Sequence, residues 1–338
     1  MKNEKKQPLL SVVVAAYNIE GTIDRIFDHL LEARHRNETE VVIVNDGSND
    51  RTSELARGYA QRFPDWVRVV NKPNGGHGSA LTAGFQVATG KYCRPLDGDD
   101  WLDPKGLDTL LEYLSTHTAD MVICDNIVLN LDTDAEKRNH CALPPQSQCS
   151  LKNVDELEIL PNYHMLIFTT EILKRIPAID QHCFYVDNEY DAYPLIYVKT
   201  VVYLPFVVYV HTVGNEEQST SFQSLVRNEA NIRTVFYSLL RYCHNPEYTD
   251  NPIAMHLIGR YAADVLRLFI AVAFVLPSDE GKTKLHALFL DIKRQYPQYY
   301  RSMNVGIRGD VYRKLHCHGY ELIRRLLAMK NGNKSIVW

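Results

Sequence analysis

The chain has 338 residues, of which 45% are hydrophobic and 23% are charged, which is typical of a globular protein that buries a core without disulfide or metal staples. Its formal net charge of −4 does not indicate a protein that binds nucleic acid. The seven cysteines form no Cys-x-x-Cys pair, which argues against a disulfide framework and a structural zinc site and favours a reducing compartment.

The first 130 residues alternate between strand and helix patterns. Several of the strand segments are continuous apolar runs rich in β-branched residues, which is typical of strands buried on both faces of a parallel sheet. The predicted strands are Ser11–Asn18, Glu40–Asp46, Arg68–Asn71, Tyr92–Leu96 and Ala119–Leu129. The predicted helices are Gly21–Arg36, Asp50–Phe63, Ser79–Ala88 and one that begins at Pro104. This alternation predicts a doubly wound α/β sheet, in which ligands bind at the carboxyl ends of the strands.

The pattern changes after residue 130. Leu131–Ser150 is polar and irregular and predicts a loop or a small excursion. The next predicted elements are helices Thr169–Ile176 and Asp187–Tyr197, the latter interrupted by Pro194, and strands Thr200–Leu204 and Phe206–His211. From about residue 222 the pattern is helical, with helices Ala230–Tyr242, His256–Leu276, Gly281–Gln295 and Val311–Met329. We therefore expect an α/β domain over residues 1–221 and a helical C-terminal region over residues 222–338.

Both ends of the chain bear on its location. Met1–Gln7 is polar and no apolar segment of a signal peptide follows it, and the longest apolar run, Leu268–Leu276, is too short to cross a bilayer. The sequence therefore predicts a cytoplasmic protein. The segment Arg301–Trp338 carries eight Lys or Arg residues against two acidic ones. Such a basic, amphipathic end could lie on the inner face of the plasma membrane or bind a charged partner, or it could simply be a solvated helix face.

A cluster of acids directly follows the predicted strand Tyr92–Leu96. Asp97, Asp99 and Asp100 place three carboxylates within four residues, and these repel one another unless a cation neutralises them. Oxygen ligands favour Mg²⁺ or Mn²⁺. Such an ion can bridge a diphosphate and stabilise the charge on a leaving nucleotide. Taken alone, the cluster also fits an Asp-rich turn that caps a helix.

Three further polar segments follow predicted strands. Asp46 ends the second strand within Asn-Asp-Gly-Ser, where it could bind a nucleobase or ribose or simply form a turn. The glycine-rich segment Asn74–Gly78 could cradle a phosphate or only reverse the chain, and His77 within it could contact a ligand or lie on the surface. Tyr17 could stack on a base or pack at the strand end.

The order and spacing of these segments resemble the family 2 glycosyltransferases, whose fold, named GT-A, is a Rossmann-like, doubly wound mixed sheet. The resemblance covers Leu10–Asn126 and consists of an apolar strand ending in Tyr-Asn, then N-D-G-S, N-G-G before a helix, D-x-D-D and W-L-D-P. It implies that residues 9–130 form a donor half and residues 131–221 an acceptor half. Members of the family are inverting enzymes, in which the acceptor hydroxyl displaces the nucleotide in one in-line step.

The resemblance also implies roles for single residues. Nucleotide binding falls to Ala15, Tyr17, Asp46, Asn74, Gly76, His77, Asp97 and Gly98. Asp99 would be the ligand of a Mn²⁺ or Mg²⁺ ion, and Asp100 would lie close to the transferred sugar. The segment Tyr209–Ser221 resembles one that folds over the donor in many members. His211, Gln218 and Ser219 could then contact the diphosphate or the metal.

The reaction needs a general base to take the proton of the acceptor hydroxyl. In the family the base comes from an acidic pair, usually Glu-Asp, that opens a helix beyond the D-x-D motif. This chain has Val186-Asp187 at that place, so the resemblance assigns the base to Asp187. Glu189 and Asp191 are alternatives, and Asp187 could also be no more than a helix cap.

Two positions depart from the family pattern. Ala15 replaces the usual proline after the first strand, and Leu81-Thr82 replace the usual Arg-Asn of the third helix. The second change removes a charged contact to the donor, for which His77 could partly substitute. The first change is expected to affect only local rigidity, whereas the second leaves the details of donor binding open. Neither alters the expected fold.

The expected partners are a nucleotide-sugar donor, with UDP as the default nucleotide, and a glycan, lipid-linked or glycoprotein acceptor in bacterial surface polysaccharide or glycoconjugate synthesis. The helical region could hold the acceptor, a membrane surface or a second subunit of a homo-oligomer. Two other functions are considered. A sugar-nucleotide pyrophosphorylase would need a G-x-G-x-R-type loop where residues 15–20 read Ala-Ala-Tyr-Asn-Ile-Glu. A degenerate transferase domain could serve as a binding module for nucleotide-sugars.

Overall fold

The computed structural model describes residues 7–214, 222–248, 250–315 and 319–324. The chain divides into two compact units. The first comprises Met1–Gln218 with Asp250–Ala254, and the second comprises Ser219–Thr249 with Met255–Trp338. The predicted donor contacts Gln218 and Ser219 lie outside the described residues.

A mixed sheet forms the centre of the first unit. Its strands are β1 Leu10–Ala16, β2 Thr39–Asp46, β3 Val67–Lys72, β4 Tyr92–Asp97, β5 Trp101–Leu102, β6 Met121–Asn130, β7 Glu136–Asn139, β8 Leu166–Thr169 and β9 Val201–Val213. Their order is β3-β2-β1-β4-β8-β6-β9-β5, and β7 pairs with β6. Strands β3, β2, β1 and β4 are parallel. Strand β8 is antiparallel to both β4 and β6, so the two halves of the sheet meet at β8.

Helices cover the sheet. In the first unit they are α1 Ile23–Glu32, α2 Thr52–Arg62, α3 His77–Val87, α4 Pro104–Thr116, α5 Leu151–Asp155, α6 Thr170–Arg175 and α7 Asp187–Ala192. The sequence determines where α4 begins. The Asp103 side chain caps the helix by accepting a hydrogen bond from the Gly106 amide at 2.7 Å, and Pro104 takes the first helical position. Strand β2 is buried along its whole length, as its apolar run predicts.

Several elements differ from the sequence-based expectation. Part of the polar segment Leu131–Ser150 forms β7, which pairs with the end of β6. The two predicted strands around Pro205 are one strand, β9, and its register with β6 shifts beside Pro205. A bulge accommodates this residue because proline has no N–H for the strand ladder. Strand β8 was not predicted, because four residues are too few to show a period.

The second unit is helical. Its helices are α8 Phe222–Arg227, α9 Glu229–Tyr242, most of α10 Pro252–Ala273, α11 Ser278–Gln295, α12 Pro297–Ser302 and α13 Gly306–Lys314. The predicted helix Val311–Met329 is wrong at its start, because α13 begins at Gly306 and ends at Lys314. Of the later residues that the structure describes, Tyr320–Arg324 are helical. Among the described residues, no helix is long and apolar enough to span a membrane.

Candidate active site

The parallel register brings the predicted polar residues to one edge of the sheet. Ala15 of β1 pairs with Asp97 of β4 and with Val44 of β2. Strands β1, β2 and β4 therefore end side by side. The half-exposed ring of Tyr17 follows β1, while Asp46 and Asp97 are the last residues of β2 and β4. Sequence and register together place this edge where α/β sheets bind ligands.

Asp46 is buried and bound by its own chain. Its carboxylate accepts from the Lys72 ammonium at 2.5 Å and from the amides of Gly75 and Gly76 at 3.0 and 2.8 Å. The Asn74 side-chain amide donates to the Asp46 carbonyl at 3.0 Å. The predicted nucleobase ligand therefore also shapes the glycine-rich loop, a role that sequence analysis did not predict.

The loop Asn74–Gly78 requires a glycine at position 76. Gly76 has a φ of +83°, and a Cβ there would lie 3.1 Å from the His182 amide nitrogen. That amide donates to the Gly75 carbonyl at 2.7 Å. The loop is thereby joined to the segment that leads into α7. His77 opens α3, and its Nε2 lies 3.7 Å from an Asp97 carboxylate oxygen.

Two of the acids after β4 are held by residues distant in sequence. The Asp97 carboxylate accepts from the Tyr163 hydroxyl at 2.9 Å. Asp100 is buried and accepts from the Tyr209 hydroxyl at 2.8 Å and the Thr212 amide at 2.7 Å. The Asp97 amide in turn donates to the Tyr209 oxygen at 3.2 Å. Tyr209 of β9 therefore joins the two acids.

The middle of the motif is tightly packed except for one carboxyl group. A Cβ at Gly98 would lie 2.4 Å from Ile19 Cγ2, so the turn needs a glycine. The Asp99 carbonyl accepts from the Thr212 hydroxyl at 3.0 Å and from the Arg25 guanidinium. Asp99 itself is exposed. The backbone of the turn is thus fixed, while Asp99 is the most accessible acid of the motif.

The acids act on one another as the sequence predicts. Burial raises the pKa of Asp100 well above its usual range, and the neighbouring charges of Asp97 and Asp99 raise it further. The cause is that a carboxylate is poorly solvated there and repelled by two others. A divalent cation at this edge would relieve both effects, so these carboxylate oxygens are suitable ligands for a bound ion.

Two histidines place imidazole nitrogens near this edge. The imidazoles of His164 and His211 stack with centroids 4.0 Å apart, and ligand atoms of both lie within 4.8 Å of an Asp100 oxygen. Burial lowers the pKa of both histidines, so each is neutral near pH 7, the form that binds metal ions. His211 is predictable from the sequence, whereas His164 is not, because a single histidine between short elements carries no motif.

A fully buried arginine lies next to the histidines. The Arg94 guanidinium covers the Tyr209 ring at 4.7 Å, and its Nη2 donates to the His164 carbonyl at 3.2 Å. Its Nη1 has no hydrogen-bond partner among the residues that the structure describes. Burying a cation without a carboxylate is costly. The contacts of Arg94 with both His164 and Tyr209 indicate that it positions the segment carrying His164. Sequence analysis did not identify it.

Asp187 is the first residue of α7 and is partly buried. Burial raises the pKa of its carboxyl group; His77 opposes this shift, and Asp97 adds to it. The three residues are therefore close enough to interact electrostatically. The alternatives Glu189 and Asp191 are almost completely buried, and each has one carboxylate oxygen without a partner among the described residues. Of the three acids, Asp187 is the most accessible.

We expect Glu189 to make stability depend on pH. Burial raises its pKa from 4.5 to about 8. Between these values the folded state holds a proton that the unfolded state has lost, so stability falls as pH rises, by up to about 1.4 kcal/mol per unit. Glu189→Gln cannot titrate and still offers an acceptor to the Asp180 amide, which lies 2.8 Å from Glu189. The variant should melt several degrees above the wild type at pH 8 and only slightly above it at pH 5.

The control for this measurement is Glu171→Gln. Glu171 is exposed on α6, so its replacement should leave the melting temperature unchanged at both pH values. Equal melting temperatures of Glu189→Gln and the wild type at pH 8 would show that Glu189 is already ionised at no cost in the folded protein.

Comparison with protein families gives one assignment for most of the first unit. Residues 11–186 match the model of glycosyl transferase family 2. The uncharacterized glycosyltransferase EpsJ of Bacillus subtilis is 37% identical over 117 residues, which are 35% of this chain and 33% of that protein. Chondroitin synthase of Pasteurella multocida is 38% identical over 130 residues, 37% of this chain and 13% of that protein. The chain thus matches a third or less of these two relatives.

Solved structures extend the similarity of fold to nearly the whole chain. TarS residues 1–349 of S. aureus, in complex with UDP-GlcNAc, superimpose with a TM-score of 0.66 at 16% identity, covering 97% of this chain and 93% of that one. The mannosyltransferase PcManGT of Pyrobaculum calidifontis, in complex with GDP-Man and Mn²⁺, gives 0.50 at 18% identity, covering 96% and 87%. The likeness to TarS confirms the predicted GT-A sheet with a helical C-terminal region.

Proposed function

Because the chain belongs to glycosyl transferase family 2, we propose that it transfers a sugar from a UDP-sugar to an acceptor hydroxyl with inversion at the sugar carbon. The observation that carries this proposal is the convergence of Asp97 and its neighbouring acids with Asp187 at the carboxyl ends of the strands. An acid cluster for the diphosphate and a separate carboxylate for the acceptor are the two parts that such a reaction requires.

The proposed donor site lies between Tyr17 and the loop held by Asp46. The half-exposed Tyr17 ring offers a stacking surface, and helix α3, which begins at His77, offers the backbone amides of its first turn. UDP is favoured because TarS, whose structure this chain resembles, was solved with UDP-GlcNAc. PcManGT was solved with GDP-Man, so the base has to be tested directly.

We propose that a Mn²⁺ or Mg²⁺ ion is held by Asp99 together with His211. The charges of Asp97 and Asp99 both act to raise the pKa of His211, so the exposed carboxylate lies within electrostatic range of the imidazole. The alternative set of metal ligands is Asp100, His164 and His211. Carboxylate and imidazole ligands suit Mn²⁺ well. When bound, the ion would offset the charge of the diphosphate and of the leaving nucleotide.

The proposed chemistry of the chain itself is a single displacement. The acceptor oxygen forms a bond to the anomeric carbon while the bond from that carbon to the diphosphate oxygen breaks. Asp187 takes the proton of the acceptor hydroxyl on a carboxylate oxygen. Burial makes this carboxylate a stronger base than one in water, because a raised pKa increases its affinity for the proton.

We propose that the acceptor is a glycan, a lipid-linked sugar or a glycoprotein, and that the reaction takes place in the cytoplasm. Chondroitin synthase and hyaluronan synthase of Pasteurella multocida, both 38% identical over 130 residues, are named for polysaccharides. This supports a place in surface polysaccharide or glycoconjugate synthesis.

A thermal-shift panel tests the donor. UDP, GDP, dTDP, CDP and their sugar conjugates are each added with and without Mn²⁺. A ligand at 100 times its Kd stabilises by about 2.7 kcal/mol, so we expect a raised melting temperature with UDP or a UDP-sugar, larger with Mn²⁺. No shift with any nucleotide would contradict a formed donor site. Binding without turnover of any donor would instead favour a nucleotide-sugar binding module.

A further inference from the structure

Helix α13 of the second unit carries an exposed apolar stripe. Ile307 is 85% exposed, Val311 38% and Leu315, the residue that follows the helix, 41%. Their spacing of four residues places all three on one face. The opposite face is buried through Gly309 and Tyr312. The helix therefore packs on its own unit with one side and presents a row of large apolar side chains with the other.

Basic residues flank this stripe on both sides. With 3.6 residues per turn, Arg308 lies on one side of the row and Lys314 on the other. Neither forms an ion pair with another residue of the described ranges 250–315 and 319–324. Arg313 differs, because it pairs with Asp310 at 2.7 Å and donates to the Tyr300 carbonyl at 2.6 Å. The two flanking cations are thus available to an external partner.

The surroundings of the helix are also cationic and apolar. Residues 297–324 contain five Lys or Arg residues against two acidic ones, although the whole chain has a net charge of −4. Leu322, in the helical segment after Gly319, is another exposed large apolar side chain. Apolar side chains bordered by cations are typical of helices that lie in the interface of an anionic membrane.

We propose that α13 binds a membrane surface of anionic lipids, with Ile307, Val311 and Leu315 entering the interface. Arg308 and Lys314 contact the lipid phosphates. A second copy of this chain fits the stripe less well. In a two-fold interface the same surface faces itself, so the flanking cations of the two copies would repel. This inference goes beyond the proposed function and does not depend on it.

Sedimentation of the full chain with lipid vesicles tests the proposal. We expect binding to vesicles of phosphatidylcholine mixed with phosphatidylglycerol, weaker binding at high salt, and none to phosphatidylcholine alone. The variant Ile307→Ser/Val311→Ser/Leu315→Ser should bind at least about tenfold more weakly, because the apolar contribution is lost. Arg308→Gln/Lys314→Gln should lose the preference for anionic vesicles. Leu290→Ser, at a residue of α11 that is 50% exposed, is the matched control and should bind like the wild type.

Two further measurements separate the lipid surface from protein partners. Because Ile307 is 85% exposed, an uncovered stripe predicts that the single variant Ile307→Ser keeps the wild-type melting temperature without vesicles. A drop of several degrees in Ile307→Ser would show that protein covers the stripe and would overturn the proposal. So would self-association in analytical ultracentrifugation that the triple serine variant abolishes. Equal vesicle binding by the wild type and the variant, or no binding by the wild type, would also overturn it.

Discussion

Replacement of Asp187 by asparagine should lower kcat by about 10²–10⁴-fold, the range attributed to general acid–base catalysis. Asparagine has nearly the same shape but cannot accept the proton of the acceptor hydroxyl. The nucleotide-sugar should still bind, and its Kd should change far less than kcat, because Asp187 lies at the start of α7 while the proposed donor site is built mainly at the ends of β1, β2 and β4. Release of nucleotide with acceptor present gives kcat, and calorimetry with donor alone gives Kd.

The control variant for this experiment is Glu189→Gln, two residues along the same helix. Glu189 is completely buried, so its replacement should leave kcat within about twofold of the wild type. If Glu189→Gln or Asp191→Asn abolishes turnover while Asp187→Asn does not, the base is one of the buried acids.

The dependence of activity on pH is a second test of Asp187. Burial raises the pKa of Asp187 above its usual value of 3.8, and only the ionised form can take a proton. Activity should therefore fall as the pH drops through this raised pKa, so the acid limb should lie above pH 3.8. An acid limb at or below that value would show that Asp187 does not limit the rate.

The second large effect is expected at Asp99. Asp99→Asn should weaken Mn²⁺-dependent binding of the donor by at least about 100-fold, since changes to residues that only orient metal ligands cost 10–100-fold. Metal-independent binding of the nucleotide should remain. Titration of Mn²⁺ in the presence of nucleotide, followed by calorimetry, measures both constants.

Two variants distinguish the two possible sets of metal ligands. His211→Gln should weaken Mn²⁺ binding in either case. His164→Gln should do so only if the ion lies between Asp100, His164 and His211. His117→Gln, at an exposed histidine after α4, serves as the control. Unchanged Mn²⁺ affinity in both Asp99→Asn and His211→Gln would contradict the proposed metal site.

Much of the donor half could be predicted from local patterns. The apolar runs of β1 and β2 predict buried parallel strands, and the structure has them at Leu10–Ala16 and Thr39–Asp46. The side chains at their carboxyl ends follow from the same patterns, because parallel strands end at one edge. The mutual repulsion of Asp97, Asp99 and Asp100 was also predictable, and the raised pKa of Asp100 expresses it.

The surroundings of those acids depend on the tertiary structure. Asp100 and its partner Tyr209 are 109 residues apart, and their contact depends on the register of β9, which Pro205 shifts by a bulge. The cross-sheet placement of His164 likewise depends on β8, four residues long and without a readable period.

The sequence by itself determined the alternation of strands and helices, the edge of the sheet at which the polar side chains lie, and the acids that we propose carry the chemistry, because each depends on neighbouring residues along the chain. Only the tertiary structure decided that Lys72 and the amides of the glycine loop bind the Asp46 carboxylate, that Arg94 lies buried over the Tyr209 ring, and that Asp187 is more accessible than Glu189. These features depend on contacts between residues that are far apart in the chain. Burial sets the pKa and the accessibility of these side chains, and burial is a property of the packed fold.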